Sequence, residues 1–383
     1  MKINITTRAT SPGTQIFDIL YAYRQSLNNQ QGLASKYSSD WLITIGEVDT
    51  TADLNILFDH MPDTSTDLDS YDLVFLCNNG EPLRVATPCI AELVKLDKVY
   101  LVANSYLDQS HPLFNKVIWF THNFNTCKDY WTRYFYPQRF ENLQRSKHAR
   151  LGNIIAINGL NRANRHHFFK MLKEQCPELP MICNIGETVT KLLDSQWESV
   201  EDQQFRDSVN NHYVNKIPSA RQVSDNYYSN IITVGINNKF GDIPPGYFIM
   251  PAYFEYACVV FPETTWQNND LAITEKALKC FYARSLPFPI GGARTNQLYN
   301  ELEFFTAWNL LPEELKQFDN VLDHNQRYHL AAQAVDWLYK NPQVFQSDLA
   351  KTMVEHNRNN FIDGKYDLIV AQSLEKIILS YQT

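Results

Sequence analysis

The chain has 383 residues, enough for two domains that each bury a core of their own. Its 44% hydrophobic and 13% aromatic content excludes a disordered polypeptide. A formal charge of −8 excludes a protein that coats nucleic acid through an overall basic surface, although it leaves room for a local basic groove. The seven cysteines at 77, 89, 127, 176, 183, 258 and 280 are odd in number and never spaced Cys-x-x-Cys, so they read as buried, reduced thiols.

The first part of the chain alternates short apolar runs with amphipathic stretches. Ile3–Thr6, Trp41–Ile45, Leu54–Phe58, Leu73–Cys77, Val99–Ala103 and Val117–Phe120 are expected strands. Ile16–Gln25 and Cys89–Leu96 have helical spacing. Strands alternating with helices imply a mainly parallel, doubly wound sheet. The stretch Tyr130–Arg150 is aromatic, then charged, and has no strand pattern, so it is expected to cross into a second domain.

The pattern restarts at Asn153–Ile157 (strand), Arg165–Gln175 (helix) and Met181–Asn184 (strand). A polar helical region, Glu187–Asn211, precedes strands at Ile231–Ile236 and Ala257–Phe261. A helix opening at Thr274 and a strand at Phe288–Ile290 follow. From Asp323 the chain reads as helical, over Gln326–Leu338, Gln343–Arg358 and Asp367–Tyr381. The expected fold class is α/β: two Rossmann-like, doubly wound domains with a helical tail. The expected boundaries are 1–145, 146–340 and 341–383, the last as helices that pack back across the domains.

Chemistry concentrates in the second half. Glu263 follows the apolar strand Ala257–Phe261, at the sheet edge where open α/β folds bind ligands. Glu275 and Lys276 stand in the first turn of the Thr274 helix. A lysine there opposes the helix dipole unless an anion shares the same end. Arg162 and Arg165, in Asn158-Gly-Leu-Asn-Arg-Ala-Asn-Arg-His-His167, could grip a diphosphate through planar paired donors or serve as a basic helix cap. Gly291-Gly292-Ala-Arg294 reads as a turn or as a ligand loop. Adjacent His166 and His167 diverge on a helix and cannot share one metal ion. Asp67-Leu-Asp69 precedes a strand in a run of turn formers and reads as a turn. No Gly-x-Gly-x-x-Gly, Walker, Gly-x-Ser-x-Gly or His-Glu-x-x-His motif occurs.

Ile273-Thr-Glu-Lys276 with Lys279, Pro287-Phe-Pro-Ile-Gly-Gly292 and Leu302-Glu-Phe-Phe305 resemble, in that order, the donor half of fucosyltransferase-like glycosyltransferases, many of them phage-encoded. The segment from Asn158 resembles the same family's Asn-Arg-x-x-Arg-His. Two positions depart from the pattern: Cys280 stands where proline is common, and Glu303 where glycine precedes Phe. The resemblance implies a GT-B fold and a nucleotide-sugar donor as substrate, with no cofactor. Lys276 and Arg165 would hold phosphate, and Glu275 a ribose or sugar hydroxyl. Asn158, Arg162, Glu263, Thr274, Gly292 and Arg294 complete the expected donor site.

The expected reaction is inverting and metal-independent, with the lysine and arginines stabilising the departing diphosphate. It needs a carboxylate base for the acceptor hydroxyl, for which Glu81 and Asp108 follow strand ends in the first domain, with His122 a lesser candidate. The acceptor is a glycan or, alternatively, a modified DNA base stacked on Tyr130, Trp131, Tyr134, Phe135 and Tyr136. The other alternative is a binding protein that has lost catalysis. A strand-like N-terminus, with no apolar run of the ~20 residues that a span requires, leads to an expected cytoplasmic location, the host cytoplasm if the source is viral.

Overall fold

A computed structural model describes residues 2–7, 42–59, 67–77, 92–120, 131, 152–158, 162–183, 189, 191–192, 198–214, 249 and 252–381. The expected helix at Ile16–Gln25, the strand at Ile231–Ile236, Glu81, His122 and all of Tyr130–Arg150 except Trp131 lie outside these residues. By contacts, the chain forms two compact units, residues 1–122 with 364–383, and residues 123–363. The expected tail from 341 is thus divided, its last helix joining the first unit.

The first unit is built on a six-stranded sheet. Its strands are β1 (Lys2–Thr7), β2 (Leu42–Ile45), β3 (Leu54–Asp59), β4 (Leu73–Cys77), β5 (Val99–Ala103) and β6 (Val117–Trp119). They lie in the order β2-β1-β3-β4-β5-β6, and every neighbouring pair is parallel. Every residue of β3 and β4 is buried, as strands covered on both faces require. Phe58 stacks on Phe75 across these two strands at 4.8 Å. The last helix of the chain, Lys365–Ser380, drives the fully buried Tyr366 edge-on against Trp119 at 4.9 Å.

The second unit has a four-stranded parallel sheet of β7 (Gly152–Asn158), β8 (Met181–Cys183), β9 (Tyr256–Pro262) and β10 (Leu286–Ile290), in the order β10-β9-β7-β8. The two prolines of Leu286-Pro-Phe-Pro-Ile290 lack ladder donors and suit only a sheet edge, which is where β10 lies. Its longer helices are α1 (Ala163–Gln175), α2 (Val200–Tyr213), α3 (Glu275–Ala283), α4 (Thr295–Glu301), α5 (His324–Lys340) and α6 (Asp348–Ile362). Phe168, Phe205, Val260, Phe288, Tyr328 and Val335 are centres of the core between helices and sheet. Trp131 is fully buried in this unit, 5.5 Å from the Tyr282 ring and 5.9 Å from Phe361. That packing takes it out of any base-stacking surface.

The strand order places the site. β7 is followed in the chain by β8 on one side of it and later by β9 on the other. Connections leaving β7 and β9 therefore diverge, and the crevice beyond their carboxyl ends is where open α/β sheets take ligands. β7 ends at Asn158 and leads to α1; β9 ends at Pro262 and leads to Glu263.

Candidate functional site

Two basic residues open α1. Arg162 is its N-cap, in extended conformation, and Arg165 stands in the first turn. Both oppose the helix dipole. Arg165 is nonetheless only 3% exposed. One terminal nitrogen, Nη2, reaches Thr264 Oγ1 at 3.3 Å and the Glu263 carbonyl at 3.5 Å, both at the long end for hydrogen bonds. Its buried Nε has no partner among the described residues, nor has the buried Oδ1 of Asn158. Burial, reinforced by the charge of Arg162, pulls the Arg165 guanidinium down to about 10, which leaves it charged at neutral pH.

Opposite stands the loop from β9 to α3. Glu263 is fully buried. It accepts hydrogen bonds from Tyr299 Oη at 2.6 Å and Thr274 Oγ1 at 3.0 Å. Thr274 is the N-cap of α3, but its hydroxyl is spent on Glu263 and makes no cap bond to the helix. Lys276 Nζ donates to that same hydroxyl at 2.8 Å and lies 3.8 Å from Glu263 Oε2. Phe261 presents its ring 5.7 Å below the ammonium. The sequence places Lys276 in a helix's first turn; the structure buries it as well.

Burial sets the charges here. It pushes the Glu263 carboxyl above the usual carboxylate range, against Lys276, Tyr299 and Thr274. It lowers the Lys276 ammonium to about 8, opposed by Glu275 and Glu263 and reinforced by Arg165 and Lys279. For Glu275 burial also acts upward, but Lys276, Lys279 and Arg165 outweigh it and hold the carboxyl below its ordinary value. Arg165, Lys276 and Lys279 are all buried, and these three cations face two carboxyl groups, Glu263 and Glu275. The cluster lies at a helix N-terminus whose N-cap side chain makes no cap bond.

The Gly291–Arg294 turn is held differently. A Cβ on Gly292 would stand 1.6 Å from the Gln267 carbonyl oxygen, so only glycine fits between the two backbones. Arg294 has a left-handed backbone (φ 65°), and its side chain bonds Gln297 and Glu301. The first amides of α4, at Asn296 and Gln297, are taken by the buried Asp319 carboxylate at 3.1 and 3.0 Å. The structure therefore accounts for this turn by packing and an internal cap.

One buried network escapes sequence reasoning. His324 Nε2 meets Asp202 Oδ1 at 2.7 Å, and Arg327 Nη2 meets His324 Nδ1 at 2.5 Å. Arg327 also donates to Asn268 Oδ1 and to the Gly291 carbonyl, pinning the loop after Glu263 to the glycine turn. Burial lowers His324 to about 4, so the ring is neutral. The spacing of His324 and Arg327, one helical turn apart, is the only trace in the sequence.

In the first unit Asp108 is buried, and its carboxylate accepts the Ser110 amide at 2.9 Å, closing its own turn. His167 is engaged by Tyr213 and Asn325 at 2.9 and 2.8 Å. Asp67 caps its local turn through the Asp69 amide. Cys77, Cys176, Cys258 and Cys280 are buried thiols outside any disulfide. Among the described residues no group of three or more His, Cys, Asp or Glu is disposed to hold a metal ion, and no helix is long and apolar enough to cross a membrane.

No protein-family model matches the chain, and no curated protein matches it. Among solved structures it is similar to an α1,3-fucosyltransferase, with TM-score 0.44 and 11% identity, over 100% of this chain and 90% of that one. It is also similar to a glycosyltransferase from Rickettsia africae, with TM-score 0.43 and 13% identity, over 100% and 98%. Anabaena HepE in complex with UDP overlaps with TM-score 0.40 and 11% identity, over 99% and 100%. Overlaps of this size carry no inference about activity.

Proposed function

We propose that the chain is a nucleotide-sugar-dependent glycosyltransferase of the GT-B type, with its donor held on the second unit. The observation that carries this reading is the pair of buried cations Arg165 and Lys276, brought together beyond the carboxyl ends of β7 and β9. Burial lowers both groups below their ordinary values, so the fold alone disfavours their charges, and a diphosphate at the N-terminus of α3 would offset that cost. Glu275, held ionised, is suited to accept hydrogen bonds from a sugar or ribose diol. The motif order around Ile273–Lys276 supports the same assignment.

In the proposed reaction the bond between the sugar's anomeric carbon and the diphosphate oxygen breaks, and one to the acceptor oxygen forms. Arg165 and Lys276 stabilise the charge that develops on the leaving diphosphate, in place of a metal ion. A carboxylate takes the acceptor proton, with inversion at the anomeric carbon; Asp108 and Glu81 are its candidates. Calorimetric titration with UDP and GDP tests the site, and mass-spectrometric detection of donor hydrolysis tests turnover. Binding without hydrolysis of any common donor would mark a binding protein, and no binding of either nucleotide would overturn the reading. Activity that EDTA abolishes and Mn²⁺ restores would overturn metal independence.

A further inference from the structure

A continuous hydrogen-bonded run leads from the Lys276 ammonium into the protein. Lys276 Nζ donates to Thr274 Oγ1 (2.8 Å), Thr274 donates to Glu263 Oε2 (3.0 Å), and Tyr299 donates to Glu263 Oε1 (2.6 Å). Glu263 and Tyr299 are fully buried, so neither reaches solvent. Both Glu263 oxygens are thereby committed to hydroxyl groups, and Thr274 is turned away from the helix it would otherwise cap. A threonine at an N-cap ordinarily stabilises its own helix. Here that stabilisation is forgone and the hydroxyl faces the lysine.

We propose that Tyr299 and Glu263 act through Thr274 as positioning residues that fix the place and the charge of the Lys276 ammonium, an assignment that rests on the diphosphate reading of this site. Tyr299 comes from α4, on the far side of the Gly291–Arg294 turn. That turn, clamped by Gly292 and the Asp319 cap, therefore serves the site by delivering Tyr299 and not by touching the donor.

Each group facing Lys276 has a defined influence. Glu275 and Lys279 lie on its own helix, Arg165 comes from α1, and Glu263 follows β9. The two cations favour loss of the proton and the two carboxyl groups favour its retention. The Tyr299 hydroxyl stabilises the ionised form of Glu263. Without it the carboxyl is harder to ionise, the negative charge beside Lys276 weakens, and the ammonium deprotonates at lower pH. Donor binding that depends on that ammonium then fails at lower pH too.

The test reads the protonation of Lys276 directly, by trace acylation of the full chain from neutral to alkaline pH with quantification of the modified peptide by mass spectrometry. In the wild type the midpoint should fall at about 8. Tyr299→Phe and Thr274→Val should each lower it by about one unit. Thr274→Ser, which keeps the hydroxyl, should hold the wild-type value, and the exposed Lys351 is the internal control in every variant. Unchanged midpoints in Tyr299→Phe and Thr274→Val, or an equal shift in Thr274→Ser, would overturn the proposal. Should Tyr299→Phe fail to fold, the Thr274 pair still decides. Repeating the wild-type series with UDP or GDP separates the two ideas. Protection of Lys276 supports the diphosphate reading and its absence refutes that reading, while the midpoints judge the relay alone.

Discussion

Glu303 shows a backbone requirement that the sequence carried without the residue that usually meets it. The family pattern places glycine there, and the structure gives Glu303 a φ of 59°, in the left-handed region that disfavours a side chain. Its carbonyl is held in place by Asn360 Nδ2 at 2.8 Å and His356 Nε2 at 3.1 Å. Glu303→Gly should stabilise the protein by roughly 0.5–1 kcal/mol, because relief of left-handed strain exceeds the entropy glycine adds to the unfolded chain. A melting curve checks this, and a lower melting temperature would show that the Glu303 side chain contributes more than its strain costs. Lys276 makes the complementary case, a residue whose type was legible and whose burial was not. Lys276→Ala should weaken UDP or GDP binding about ten- to a hundredfold, the value of a charge-assisted hydrogen bond. Its melting temperature at neutral pH should be maintained, because an ammonium lowered to about 8 is a charge that the fold alone disfavours. Titration calorimetry and a thermal scan read the two outcomes. A large thermal loss would assign Lys276 a structural role. The control Lys279→Ala should cost less affinity, since the helix field fades beyond the first turn.

At the level of elements, strands were the most legible feature. β4 and β5 fall where apolar runs put them, and β7, β9 and β10 extend the expected strands by one or two residues. Runs buried on both faces announce themselves by composition, with no need of periodicity. Helix ends were less transparent, because a cap is a question of where one hydroxyl turns. Thr274 occupies the expected place but serves Glu263. The cap of α4 comes instead from Asp319, beyond the helix in the chain, and that choice depends on tertiary packing. Asp319→Ala should cost about 2 kcal/mol, the upper range for a lost cap because the Asn296 amide it leaves is buried. It should also loosen Tyr299 and so weaken nucleotide binding. Denaturant unfolding and the same calorimetric titration test both effects; full stability would show that other groups satisfy the α4 amides.

At the level of the whole molecule, the restart of the strand–helix pattern near Asn153 was visible in the sequence. The helices of 341–383 were expected to pack back across the domains, but which of them belongs to the first unit was not legible, since an amphipathic pattern states that a helix has a buried face without stating what covers it. Tyr366 is the anchor of that return, fully buried against Trp119 and Phe120. Tyr366→Ala should destabilise the first unit by about 3–5 kcal/mol, as large aromatic truncations in cores do. Hydrogen exchange should show lost protection in β5 and β6 with β7 and β9 unchanged, and a uniform loss across both units would refute this local assignment.

The same return sets an order of events at the ribosome. The second unit, residues 123–363, has all its parts once Asp363 has emerged, whereas the first, although begun earlier, waits for the residues from Gly364 onward. Domains that emerge complete tend to fold first during synthesis. Here the portion made first is finished last, so the buried strands β3 and β4, apolar but for Asn55 and Asp59, must stay unaggregated until the residues from Gly364 onward have emerged.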